Sequence, residues 1–588
     1  MNRLRMLIHT MKTRQRRKLR AASRIWIVAL LALLLSACSN LALTSEPIVS
    51  ATISTPPSTP SATPSPTQTP FPTATPTLTP TPSSIWIEPS GVRVHPDGGL
   101  YSGDTLSFQV EAHNGSAADV SHLPIVVDWG ANRATGKIDY LPRGGSGTAN
   151  LPWVWSTASI SDTHTVTVTL DPQNVSGSSG GGDNVAVIQV DLAADRPLAE
   201  MGAKWRTITS VCCTIHYISG TAAERDIRSI AKTADEAIAF VEARLSTKQT
   251  RRLEVYLMSR VLGHGGFAGD AIAISHLDRD YAGGGLLEVL RHEGTHMIDR
   301  RIAGGERPSL LVEGFAVYVT GGHFKLESLP ERAAALLTTQ SYIPLRDLAN
   351  NFYPSQHETG YLEGGAFIDY LVNRGGFKTF VDLYDGMQRK SGESDADMID
   401  REMQAVYGVG LDEMEREWQA YLRTLAVGDE ERRDLADTIT FYDTVRRYQH
   451  ALDPSAYFLG VWIPDIQEAR ARRLVADYLR HPRAPENIAL ETMLVAAHEA
   501  IAARDNDRGE TLLASVNAVL DAGVRFDDPI ATRYLEVVQT ALAAGYEPQR
   551  LTLDGDHADV QATREGEVTL LSLSAALQNG AWSLGLSQ

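Results

Sequence analysis

The chain reads as several domains in series: an all-β sandwich, an α+β domain and an α-helical C-terminal region. Three observations predict this. Residues 85–196 alternate apolar and polar positions in short runs broken by Gly, Asn, Asp and Ser, the pattern of antiparallel strands with one buried face. Residues 201–425 run strand, helix, strands, helix, then mostly helix. Residues 427–550 place their apolar side chains at helical spacing. The chain has 588 residues, and at about 150 residues per domain three or four units are expected.

The first 37 residues stand apart. They carry nine Lys and Arg, no acid, and the apolar run "IWIVALLALLL" (25–35). A membrane-spanning helix needs about 20 such residues, so the segment reads as a secretory signal. "LSAC" (35–38) closes it and resembles the lipobox of bacterial lipoproteins. That resemblance implies cleavage before Cys38, a lipid on its sulfur, and an extracytoplasmic chain anchored to the cell membrane or cell surface. Residues 38–84 are then a lipid-anchored linker. Most of it is Pro, Thr, Ser and Ala, which cannot bury a core and favours extended conformations.

Charge narrows the partners. The whole chain has 54 Lys and Arg against 71 Asp and Glu. Without the nine in the leader, 45 remain against 71, a net of −26. Nucleic acid is excluded as a partner, because phosphate binding needs a basic footprint. The three cysteines are Cys38, Cys212 and Cys213, too few for a disulfide framework. Two thiols in a strand, at least one buried, is the expected state of Cys212 and Cys213; a vicinal disulfide or a dimer bridge are the alternatives.

Strands are expected at 105–114, 123–129, 163–171 and 184–192. "GDTLSFQVEAHNGS" (103–116), "WVWST" (153–157), "HTVTVTLDP" (164–172) and "DNVAVIQV" (183–190) resemble the CARDB type of Ig-like domain. This resemblance implies a spacer or adhesion module over 85–196. His95 and His122 are expected to be ordinary surface residues. Further along, strands are expected at 209–219, 253–259 and 271–275, and a helix at 221–246 with Thr221 as its cap. The final 551–588 has strand-like alternation.

The chemistry lies in "LEVLRHEGTHMIDRR" (287–301). Residues four apart share a helix face, so His292 and His296 can hold one ion while Glu293 reaches a water beside it, the HExxH arrangement of zinc hydrolases. By chance about one random chain in 40 of this length carries that spacing, so a third ligand matters. Glu313, in "LLVEGFAVYVTGG" (310–322), is an acid on an otherwise apolar helix 17 residues after His296. A charge there is costly unless paired or metal-bound. The rival is a buried salt bridge with Arg291 or Arg300.

"LRHEGTHMID" followed by "LLVEGFAVYV", then "IPLRDLAN" (343–350), "GYLEGGAFIDYLVNRGG" (360–376) and "VYGVGLDEMEREWQAYLRTL" (406–425), resembles the peptidase MA-like gluzincins over 201–425. The resemblance implies an α+β thermolysin-like zincin domain, Zn2+ on His292, His296 and Glu313, and Glu293 as the catalytic carboxylate. It implies a zinc metallopeptidase acting on a protein or peptide substrate. Val317 departs from the family, which often has an acid four after the glutamate ligand to orient a histidine. A backbone carbonyl or another acid would then serve, with Asp299 as candidate or else a solvated helix-end charge. Tyr361 is the candidate oxyanion donor, against a packing role, and His357, on a loop before it, is a weaker one. The strand at 270–275 is expected to pair with substrate, and "GHGGFAG" (263–269) to be a mobile loop. His264 and His276 are expected at the surface. Two other readings stand: a surface binding or scaffold protein with a vestigial metallopeptidase domain, and a zinc hydrolase of non-peptide amides.

Overall fold

The computed structural model describes residues 85–157, 163–174, 183–193, 200–305 and 307–586. The leader, Cys38 and the linker lie outside the described residues. Among those described, no helix is long and apolar enough to cross a membrane.

The first elements form a β-sandwich. β1 (Ile85–Trp86) and β2 (Val92–His95) pair with one edge of β3 (Thr105–Asn114). The other edge of β3 pairs with β6 (Ser146–Ser156). The facing sheet runs β5-β4-β7-β8, with β4 (Val120–Trp129), β5 (Asn132–Leu141), β7 (Thr163–Leu170) and β8 (Val185–Asp191). The expected strands fall on β3, β4, β7 and β8. β5 escaped the sequence because most of it is exposed and polar, leaving little alternation to read. Between the sheets, Trp129 stacks on Phe108 at 5.8 Å and on Trp155 at 5.0 Å. His122 is exposed, but His95 is fully buried, which overturns its expected surface position. It is covered by a segment over 350 residues away in sequence, an arrangement local pattern cannot reveal.

The next sheet has the order β12-β13-β11-β10-β9. It comprises β9 (Trp205–Thr209), β10 (Cys213–Ile218), β11 (Leu253–Met258), β12 (Gly266–Ala268) and β13 (Ile272–Ser275). β10, β11 and β13 are parallel. The first crossover is helix α1 (Ala222–Leu245), which buries Ile230, Ala234, Ile238 and Val241. Thr221 sits at its N-cap position, but its hydroxyl donates to the Ile218 carbonyl at 2.7 Å instead of accepting from the helix. Cys212 and Cys213 are disulfide-bonded, which corrects the expected pair of free thiols. That expectation placed both in a strand, where successive side chains point apart; Cys212 instead lies in the turn before β10.

Helices then build the layer under the sheet: α2 (Leu286–Asp299), α3 (Ser309–Thr320), α4 (Leu329–Thr339), α5 (Leu345–Asn350) and α6 (His357–Gly375). Glycines set their separations. A Cβ on Gly294 of α2 would meet Ile238 of α1 at 2.6 Å. At the crossing of α3 and α6, a Cβ on Gly314 would lie 2.6 Å from the Gly364 carbonyl, and one on Gly365 would lie 2.5 Å from Val317. Val317, where the family often has an acid, is therefore a buried packing residue at this crossing.

After further helices at Phe377–Gly386, Asp395–Tyr407 and Leu411–Leu422, a long helix α7 (Asp429–Leu452) leads into the C-terminal region. There α8 (Pro485–Ala502), α9 (Asn506–Asp521) and α10 (Pro529–Ala543) pack on a four-stranded antiparallel sheet of β14 (Tyr546–Asp554), β15 (His557–Arg564), β16 (Leu571–Gln578) and β17 (Ala581–Leu586). The helical stretch ends at Ala543, so the strand-like segment begins at Tyr546 and not at 551. The helical region is also interrupted: residues 453–465 form an irregular strap with one 3-10 turn, Phe458–Gly460.

Gly314→Ala must push α3 and α6 apart and is expected to destabilise the fold by about 2–3 kcal/mol in urea unfolding. Gly304→Ala, at a loop position with open space around it, is expected to change stability by less than about 0.5 kcal/mol. Equal effects would contradict the close crossing.

Candidate metal centre and its cleft

Two helices meet to make the site. α2 carries His292, Glu293 and His296 on the face towards α3, and Glu313 lies one turn into α3. Glu313 Oε2 is 3.1 Å from His292 Nε2 and 3.3 Å from His296 Nε2. The three ligand atoms lie within 4.8 Å of one another, the one such group of His, Cys, Asp or Glu among the described residues. For bonds of about 2.0–2.1 Å to a tetrahedral ion, ligand atoms stand about 3.3 Å apart. Two imidazoles and a carboxylate are also the mixed nitrogen and oxygen donor set that zinc accepts. The residues therefore fit Zn2+.

Burial works against a charge on all three ligands. Burial brings His292 down to about 4. Burial also opposes a proton on His296, but the Glu313 carboxylate outweighs it and raises the imidazole to about 9. The two histidines in turn hold Glu313 well below the ordinary carboxylate range, despite its burial. Glu293 is buried without a comparable partner, and its carboxyl is pushed up to about 8.

Arg291 and Arg300 do not pair with Glu313. Arg291 lies over the Phe240 ring at 3.9 Å, and Arg300 donates to the Gly269 carbonyl. The second oxygen of Glu313 accepts instead from the Tyr353 hydroxyl at 2.7 Å. Nothing in the sequence marked Tyr353, a residue of the connection between α5 and α6. Asp299 is buried, not a solvated helix-end charge. It accepts from Tyr384 at 2.7 Å and from Arg307 at 3.4 Å, while His296 Nδ1 makes no hydrogen bond. Asp299 therefore does not orient His296.

Tyr361 lies in the second turn of α6, buried, with its ring 5.9 Å from that of His292. Burial keeps its phenol protonated, well above the ordinary value. His357 is the first residue of α6, not a loop residue, and it is buried. Its Nδ1 accepts from Arg446 at 3.1 Å. His264 also corrects an expectation. It is partly buried at the cleft, 5.0 Å from the Phe458 ring and 6.3 Å from that of Tyr361, and burial lowers it to about 3. His276, partly buried, contacts Asp226 at 3.3 Å, with nothing metal-like around it.

A cavity of about 720 Å³ opens over the ligands and Glu293. Its border includes β12, and here the sequence reading of the sheet is reversed. The strand at 272–275 is internal, paired on both sides. The free edge is Gly266–Ala268, inside the stretch read as a mobile loop. Glycines hid it, because they weaken the strand pattern. The glycine has a reason: a Cβ on Gly266 would lie 2.6 Å from Val289 and 2.9 Å from Glu293 Oε1.

No family model matches the chain, and no curated protein matches it. Among solved structures, an M1 zinc metallopeptidase from Deinococcus radiodurans is 13% identical, covering 58% of this chain and 95% of its own, with a TM-score of 0.26. Yeast LTA4 hydrolase is 9% identical over 79% of this chain and 88% of its own, with a TM-score of 0.26. The CARDB domain of a Pyrococcus furiosus protein, in complex with di-metal ions, is 18% identical over 18% of this chain and 87% of its own, with a TM-score of 0.15.

The Glu313 carboxylate favours a proton on His296 near neutral pH, and zinc would displace it. Zinc loading at pH 7 is expected to release at least one proton per chain, and the apparent affinity to weaken about tenfold per pH unit as pH falls below about 9. Titration calorimetry in buffers of different ionisation enthalpy reads this; uptake without proton release would contradict the His296–Glu313 pair.

Proposed function

We propose that the chain is a zinc-dependent metallopeptidase that hydrolyses peptide bonds of a protein or peptide substrate. One observation carries the reading: three ligand atoms converge beside a buried, otherwise unpaired glutamate on the floor of a cleft edged by an open strand. His292, His296 and Glu313 would hold Zn2+. When bound, zinc would act as a Lewis acid, polarising the scissile carbonyl and acidifying water.

Glu293 is the general base. Its carboxyl lines the cavity beside the three ligand atoms, placed to take a proton from the attacking water and return it to the leaving amine. Tyr361, kept neutral by burial, can donate its hydroxyl proton to the developing oxyanion. Tyr353 restrains Glu313 and thereby fixes one ligand. The unpaired edge of Gly266–Ala268 offers backbone groups to an extended peptide. The anchoring of this domain through a lipid on Cys38, at the outer side of a membrane, belongs to the same proposal and rests on the leader sequence.

Glu293→Gln is expected to keep one zinc per chain and to lower cleavage of a denatured casein substrate by about a thousandfold. Wild-type cleavage is expected to stop on chelation and to return with zinc. Undiminished cleavage by the variant would remove Glu293 from the mechanism. One zinc with no cleavage by wild type would favour a non-peptide hydrolase.

A further inference from the structure

The strap 453–465 forms a wall of the cleft that contains no catalytic group. Phe458, Leu459, Val461 and Ile463 all line the cavity over the metal centre. Phe458 is held from the protein side, under the Arg446 guanidinium at 4.6 Å and beside His264. Leu459 keeps 50% of its surface exposed, and Phe267 on the edge strand, which lines the same cavity, keeps 49%. Single exposed apolar residues are ordinary, but several around one cavity mark a binding surface.

The other face of the strap is gripped by the sandwich. Along 461–463 the side chains take turns: Val461 and Ile463 line the cleft, and Trp462 between them is buried. The His95 ring of the sandwich lies flat on Trp462, with centroids 4.2 Å apart and planes within 2°. Gln109 of β3 donates to the Gly460 carbonyl at 3.2 Å. Asp477 accepts from Trp462 at 2.9 Å and from Trp153 of β6 at 3.1 Å. Arg480 forms a buried two-point pair with Asp104, at 2.6 and 3.0 Å. A spacer needs none of these contacts at the back of a cleft wall.

We propose that Phe458, Leu459, Val461 and Ile463 form a subsite for a bulky apolar side chain of the substrate, and that the sandwich sets its shape through His95 and Gln109. The proposal rests on the metallopeptidase reading and adds the substrate class. The four side chains present no charge, and their wall is continuous with the metal centre, so a peptide lying along β12 brings a side chain against it. His95 is a positioning residue that acts through Trp462.

The test uses the full chain carrying Glu293→Gln, loaded with zinc, and a set of fluorescein-labelled alanine hexapeptides. Each peptide has a single Phe at a different position. Fluorescence anisotropy is expected to find at least one position where Phe binds ten times more tightly than the all-Ala parent. Leu459→Ser, at a half-exposed site that does not endanger folding, is expected to cut that gain at least fivefold. His95→Ala is expected to do the same, and His95→Phe, which keeps a flat ring on Trp462, to restore it. No preference for Phe, or a preference unchanged within twofold by Leu459→Ser, would overturn the subsite. A preference lost in Leu459→Ser but kept in His95→Ala would overturn the role of the sandwich. Absence of wild-type cleavage would count against the peptidase reading alone, because the apolar preference is still read by binding.

Discussion

A carboxylate buried between two imidazoles is the constraint on which the rest of this structure depends. Glu313 lies on a helix that is otherwise apolar, and burying a lone carboxylate costs several kcal/mol. The cost is offset only if α2 and α3 meet in register, so that both histidine Nε2 atoms reach the same oxygen. That requirement explains the glycines around the site. Gly294 lets α1 approach the back of the motif helix, and Gly314 lets α6 approach the back of α3. Gly294 follows Glu293 and Gly314 follows Glu313, so a larger side chain at either position would move the neighbouring glutamate.

The same closeness shapes the cleft. The edge strand passes so near Glu293 that only glycine fits at 266, so Glu293 is covered on one side and lines the cavity on the other. Around Tyr361, the rings of His264, His323 and His357 pack within 4.4–6.3 Å. Burial among them, with the Glu313 carboxylate nearby, keeps Tyr361 a phenol, which is the form that can donate a hydrogen bond.

Much of the site was legible because its spacing is local. His292, Glu293 and His296 follow from helix periodicity, and Glu313 from the cost of an acid in an apolar run. Residues whose role depends on distant chain were not legible. Tyr353 reaches Glu313 from a connection with no pattern of its own. Asp299 reads as a helix-end charge until Tyr384 and Arg307 cover it. β12 is three residues long and begins with glycine, so neither alternation nor propensity marks it. His95 and Trp462 find each other across 367 positions. In the sandwich, strands with one buried face were readable, whereas β5, with few buried positions, was not.

The sandwich, the motif helices and the C-terminal region thus share one cleft: His292, His296 and Glu313 from α2 and α3, an edge from β12, and a wall from the strap that the sandwich holds. The central claim is that Glu313 completes a metal centre with the two histidines, and the most direct measurement is zinc stoichiometry by native mass spectrometry on the full chain and on Glu313→Ala. One zinc per wild-type chain, with the variant losing nearly all of it at the same free zinc, is the predicted result. A wild-type chain that takes up no zinc, or a variant that binds it undiminished, would contradict the account.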